Sequence, residues 1–206
     1  MGNGSRTALP RVLADELDAD WNRVRIVQAV GDPRYGSQDT DASRSIREFF
    51  DLMREAGATA RLMLIRAGAS QWSVPVSECA SDLHVVVHLP TGRKWAYGEL
   101  ALAAARLPVP RKEELQFKSR AAWRYIGKDA SLYDLENICT GKAVYGMDAS
   151  IEGMVYASIE HPPVLGGKVE SYQDQKTLLV PGVRQTVLIG PPSSLRMGSS
   201  HWVAWR

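Results

Sequence analysis

The stretch from residue 44 to residue 70 limits the choice of fold more than any other part of the chain. Ile46, Phe50, Met53, Ala60, Leu64 and Ala67 fall on one stripe of a helix. A helix of that span is about 40 Å long, and it gains its stability from what covers the stripe. Gly57 and Gly68 interrupt it. Each weakens a helix by about 1 kcal/mol relative to Ala, a cost that is offset if a neighbouring element approaches closely where the side chain is missing.

The rest of the chain supplies shorter pieces. Leu9, Val12, Leu13 and Leu17 predict a helix over residues 7–18, with Thr7 as its cap and Pro10 in the first turn. Residues 23–30 alternate and predict a strand, followed by a polar loop through Gly31, Pro33 and Gly36 to about Ser43. Residues 84–89 and 94–97 predict a hairpin around Pro90-Thr91-Gly92, and residues 99–106 a short helix. Residues 107–131 are charged and aperiodic, as expected of a connector. Beyond Ile138 come candidate strands at 155–159, 168–172 and 183–189, with a short helix at 174–179. Residues 190–206 fit no pattern. The whole is an α+β sequence without repeats.

Composition excludes several classes. The 25 basic and 23 acidic side chains leave a net charge of +2, without the basic run that nucleic acid or a membrane surface would require. No apolar stretch approaches the roughly 20 residues of a membrane span. The start, Met-Gly-Asn-Gly-Ser-Arg, lacks the apolar core of a signal peptide, and Arg6 stands where a myristoylation signal has Ser or Thr. The two cysteines, Cys79 and Cys139, are far apart and read as small core or surface thiols. His84 and His88, four apart on one predicted strand, lack an evident third metal ligand and read as surface or edge residues. Asp15, Glu16 and Asp18 read as a solvated helix face, and Trp72, Trp95 and Trp123 as packing residues.

Two loops carry chemistry. Gly2, Asn3 and Gly4 precede the first helix, where unpaired N–H groups and the helix dipole favour a phosphate or pyrophosphate. Thr40, Ser43 and Ser45 offer hydroxyls at the start of the long helix. The plain alternatives are a flexible terminus for the glycines and an ordinary helix cap for Ser43.

Three blocks of sequence together resemble one family. The first is Gly2-Asn3-Gly4-Ser5-Arg6-Thr7 with Leu13-Ala14-Asp15-Glu16-Leu17. The second is Gly36-Ser37-Gln38-Asp39-Thr40-Asp41-Ala42-Ser43-Arg44-Ser45, similar to a Thr-Gly-Gly-Ser-Arg-Ser loop before a long helix. The third runs from Thr140-Gly141-Lys142-Ala143-Val144-Tyr145-Gly146-Met147-Asp148 through Gly153-Met154-Val155-Tyr156-Ala157 and Pro162–Val169 to Val180-Pro181-Gly182-Val183. These resemble the molybdopterin-binding large subunits of the xanthine dehydrogenase and aldehyde oxidase family, of the isoquinoline 1-oxidoreductase beta type, over residues 2–189. The family's Gln in the first loop is Asn3 here.

The resemblance implies a partial molybdopterin-binding domain over residues 1–106, a connector over 107–131, a small α/β hammerhead domain over 132–189 and an unmatched tail over 190–206. It implies molybdopterin, as such or as the cytosine dinucleotide, held in part by Gly2, Asn3, Gly4, Thr40, Ser43 and Ser45. The intact enzyme would oxidise an aldehyde or an aromatic N-heterocycle with oxygen drawn from water, and pass electrons to a small [2Fe-2S] subunit. The Gly-x-Gly-Glu segment that carries the family's proton acceptor does not occur, so no catalytic residue is assigned. Both ends are expected to be truncated, and the chain alone inactive. The rival expectations are a stand-alone α+β interaction domain without cofactor and a non-functional product of a broken reading frame.

Overall fold

In the computed structural model, residues 4–164, 167–189 and 202–205 are described. The chain divides into two compact units, Met1–Ala143 and Val144–Arg206.

The first unit is built on two helices, α1 (Ser5–Leu17) and α2 (Arg44–Trp72). The apolar stripe of α2 is the reason it runs 29 residues. Its glycines are where neighbours come closest. A Cβ on Gly57 would lie 2.6 Å from the Leu13 carbonyl oxygen and 2.8 Å from Glu16 Cβ on α1, and one on Gly68 would lie 2.9 Å from Val86. Against the C-terminal half of α2 packs a three-stranded antiparallel sheet, β1 (Cys79–Asp82), β2 (Val85–His88) and β3 (Lys94–Ala96), paired in that order. Helix α3 (Tyr97–Ala104) follows directly. Leu64, Ala67, Cys79, Val86, Tyr97 and Leu100 form the core between them. The hairpin is where the alternation placed it; β1, with only four residues and one buried side chain, is too short a pattern to be seen in the sequence.

Several expectations are corrected. Helix α1 begins two residues early, directly after Gly4, and Thr7 is no cap: its buried hydroxyl accepts from the Tyr133 N–H at 2.8 Å. Of the strand expected at residues 23–30, Arg23 ends a short helical turn and residues 24–30 belong to no sheet among the described residues. Residues 107–131 do not run free. Leu115 is buried, and the Asp15 carboxylate accepts the N–H groups of Arg124, Tyr125 and Ile126 at 2.8–3.1 Å.

The acidic residues of α1 are the largest departure from the sequence reading. Asp15 and Glu16 are wholly buried and Asp18, just past the helix end, nearly so. Glu16 meets Arg54 at 2.6 Å and Arg61 at 3.7 Å on α2, and accepts the Lys118 N–H at 3.1 Å. Lys118 Nζ lies 2.6 Å from Asp18 and 3.7 Å from Asp15. Charges survive burial only when paired and hydrogen-bonded, and here both conditions hold. The Arg54 guanidinium also lies over the rings of Phe117 and Trp123, 5.1 and 5.5 Å from their centroids. These contacts fasten the 115–126 segment to both helices.

The histidines are not surface residues on one strand face. His88, at the end of β2, is 3% exposed and lies between Thr91 (2.6 Å) and Glu78 (3.0 Å). His84 sits in the turn before β2 with φ 71°, and its Nδ1 accepts the Asp20 N–H at 2.6 Å. Burial first, then the Arg23 charge, lowers its pKa from 6.5. The folded state therefore favours neutral His84, and that contribution is present above pH 6.5 and lost as pH falls below it. The melting temperature is expected to decline on acidification through this range. His84→Asn, whose side chain tolerates a left-handed backbone, should flatten that part of the profile. An unchanged slope in the variant would remove His84 from the account.

The second unit holds an antiparallel sheet of β4 (Ile159–Glu160), β5 (Thr186–Ile189) and β6 (Trp202–Trp205), in the order β4-β6-β5. A short helix (Gln175–Leu178) precedes β5. The strand expected at 168–172 does not form, the one at 155–159 shrinks to its last residue and Glu160, and β6 falls in the tail that showed no pattern. The sheet is small, and the unit exposes Val144, Met147, Ile151 and Tyr156. No helix among the described residues is long and apolar enough to cross a membrane.

Candidate cofactor-binding cleft

The N-termini of α1 and α2 meet at one cleft of about 500 Å³, lined by Ser5 and Ala8 from α1 and by Thr40, Asp41, Ala42, Ser43, Ser45 and Ile46 from the segment that enters α2. Of the six residues expected to touch a cofactor, Thr40, Ser43 and Ser45 share this cleft. Gly4 lies on a neighbouring cleft of about 450 Å³ that has Ala8 and Ile46 in common with the first. Gly2 and Asn3 lie outside the described residues.

The backbone at the cleft is unusual in the same way at both helix starts. Gly4 and Ser43, the residues preceding α1 and α2, are left-handed, with φ 73° and 55°, and no side chain caps either helix. Ala42 is also at positive φ, 40°. Left-handed backbone is unfavourable for residues with a Cβ, and such strain gathers where function or tight geometry holds it. Ser43 is thus not the ordinary side-chain cap that its position suggested. Its hydroxyl is not spent on the helix, and the partial positive charge of a 29-residue helix points toward the opening.

The charges around the cleft nearly cancel. Arg44 Nε lies 2.8 Å from Asp41, and its Nη2 3.6 Å from Asp39 and 3.1 Å from the Ser37 hydroxyl. What remains for a ligand is a set of neutral hydroxyls and two helix starts. The neighbouring cleft adds cations. Arg11 lies 5.5 Å from the ring centroids of both Trp21 and Tyr125 and donates to the Tyr125 carbonyl at 3.1 Å. Lys128 lies just beyond Gly127, whose φ of 73° turns the chain. Nothing local in the chain signals that these two cations share a cleft: Arg11 and Lys128 are far apart in sequence, and both meet the Tyr125 carbonyl. Among the described residues no group of three or more His, Cys, Asp or Glu could hold a metal ion.

This donor set fits a pterin in part. Neutral hydroxyls match a ring edge rich in donors and acceptors, and helix starts suit a phosphate-bearing tail. Among the described residues that line the cleft, the carboxylate is that of Asp41, which is paired with Arg44.

No family model matches the chain. Individual proteins do. The chain is 35% identical over 226 aligned positions to the beta subunit of isoquinoline 1-oxidoreductase from Brevundimonas diminuta, an alignment that takes in 91% of this chain and 29% of that protein. It is 32% identical to the membrane-bound aldehyde dehydrogenase [pyrroloquinoline-quinone] of Gluconacetobacter polyoxogenes, over 98% of this chain and 26% of the relative. A nicotinate dehydrogenase polypeptide from Pseudomonas putida matches at 25% identity over 92% of the chain and 16% of its own length. The chain thus spans less than a third of any of these relatives and, over that length, is similar to oxidoreductase subunits of the kind that its three motif blocks resemble.

Proposed function

We propose that the chain contributes part of the cofactor-holding surface of a molybdenum hydroxylase large subunit, with Ser43, Ser45 and Thr40 facing the cofactor and Gly2, Asn3 and Gly4 as further cofactor-binding residues. The observation that carries this reading is the convergence of the first turn of α1 and the left-handed, uncapped start of α2, with the hydroxyl-bearing Thr40, Ser43 and Ser45, on a single cleft. When bound, molybdopterin, in its simple or cytosine dinucleotide form, supplies the oxidation chemistry. The residues of this chain bind and orient it. The intact enzyme would oxidise an aldehyde or an aromatic N-heterocycle with oxygen from water and deliver electrons to a small [2Fe-2S] subunit. On the same reading, the residues from 132 to 189 form the hammerhead-type domain.

The isolated chain is expected to hold the cofactor weakly. Two or three neutral hydrogen bonds at about 1 kcal/mol each do not offset the several kcal/mol lost on association. The test therefore uses a large subunit of the Brevundimonas type with its aligned stretch replaced by this chain. Pterin released from the purified protein is measured by its fluorescence after oxidation. Ser43→Gly, which keeps the left-handed backbone comfortable, combined with Ser45→Ala should lower pterin content by about tenfold or more with little change in melting. Equal pterin in parent and variant would refute the assignment.

A further inference from the structure

The strand expected at residues 23–30 has no neighbouring strand among the described residues, and its surroundings give that a meaning. The chain leaves Val24 in an extended conformation (φ −78°, ψ 127°) and is extended again at Asp32 (φ −143°, ψ 128°). Val24 and Ile26 are half-buried, whereas Val27 and Val30 are 73% and 69% exposed. Among the described residues, the backbone N–H groups of Arg25, Val27, Gln28 and Ala29 have no hydrogen-bond partner. Side chains take the place of a neighbouring strand at two points. The Gln38 amide accepts the Asp32 N–H at 3.0 Å and donates to the Val30 carbonyl at 3.1 Å, and the Tyr133 hydroxyl accepts the Ile26 N–H at 3.4 Å. Between this segment and α1 runs a groove of about 580 Å³ with Leu9, Leu13, Leu17 and Met53 along it.

We propose that residues 24–30, together with this groove, are the docking edge for an extended strand from the part of the large subunit that lies outside the stretch this chain spans. The proposal rests on the functional reading above and names the occupant of an adjoining groove, which shares Ser5 and Thr40 with the cofactor cleft. A β-rich run with open N–H groups is a template for strand addition, and side chains that mimic strand pairing at its two ends keep the backbone in register for it. Leu and Met beside the edge would receive alternate side chains of an incoming strand. The relatives supply a candidate of sufficient length, since the chain spans 29% of one of them and 26% of another.

Hydrogen exchange tests it on the full chain, alone and with the remainder of the Brevundimonas diminuta protein. That remainder is added as a purified polypeptide and, separately, co-expressed with the chain, so that its solubility alone does not decide the outcome. The proposal expects the amides of residues 25–29 to exchange freely in the isolated chain and to be slowed by about tenfold or more in the complex. It also expects Val27→Pro, which deletes one ladder donor at an exposed position, to weaken the complex by about tenfold, whereas Val27→Thr, which keeps the N–H, binds as the parent does. A complex in which residues 25–29 exchange at the free rate would overturn it. So would Val27→Pro binding with parental affinity, or no complex in either format. Loss of pterin in the serine variants with docking intact, or the reverse, tells this surface apart from the cofactor cleft.

Discussion

Glu16→Ala is expected to lower the unfolding free energy by about 3–5 kcal/mol, the usual consequence of removing one partner from a buried ion pair. The carboxylate has no exposed surface, and the variant would leave Arg54 and Arg61, only 18% and 12% exposed, without their counter-charge. It would also leave the Lys118 N–H without its acceptor. The segment from 115 to 126 is held to α1 and α2 through these groups and through Asp15, so its loss should reach the wall of the neighbouring cleft at Tyr125, Ile126 and Gly127. Urea denaturation measures the effect as a shift in midpoint at constant slope. Glu16→Gln, which keeps the shape and one acceptor, should fall between parent and Ala. A loss below about 1 kcal/mol for Glu16→Ala would match an exposed pair and contradict the burial.

Gly57→Leu should have an effect of similar size. A Cβ at this position already meets the Leu13 carbonyl oxygen at 2.6 Å and the Leu17 nitrogen at 3.1 Å, and those are backbone atoms of α1 that a rotamer change cannot move aside. Overpacking costs about 1–3 kcal/mol, and a branched side chain between two helix backbones is expected at the top of that range or above it. For Gly57→Ala the gain of about 1 kcal/mol in helix propensity works against the clash, leaving a smaller net loss. Gly98, in α3 with no atom within 4 Å of a built Cβ, provides the contrast: Gly98→Ala should stabilise by about 0.5–1 kcal/mol. Thermal melts of the three variants decide the matter. A Gly57→Leu protein that melts with the parent would mean that α1 and α2 do not meet at this glycine.

The two expectations have a common origin. Helix α1 is gripped from one side by the glycine contact on α2 and from the other by carboxylate contacts to a segment about a hundred residues later. That double grip sets the position of its N-terminus, where Ser5 lines the cleft together with the hydroxyl-bearing residues at the start of α2. Stability of the unit and shape of the cleft are therefore coupled through one helix.

Some of this was open to reading in the sequence. The long helix was legible because six apolar residues repeat at its period, and the same local logic located the hairpin, α3 and the short helix before β5. The hydroxyls at Thr40, Ser43 and Ser45 were legible as candidates because they crowd a helix start, and the three motif blocks carried the family. The role of Gly57 was half legible: a glycine in a long apolar stripe suggests a close neighbour without saying which. What remained hidden depends on partners far along the chain. Asp15, Glu16 and Asp18 look solvated because nothing nearby in sequence neutralises them, whereas Arg54, Arg61, Lys118 and Arg124 do so only once the fold brings them in. Thr7 looks like a cap until Tyr133 claims its hydroxyl. Residues 23–30 read as a strand because alternation is a local property, and pairing is not: a strand needs a neighbour, and whether one is present is decided by tertiary structure alone.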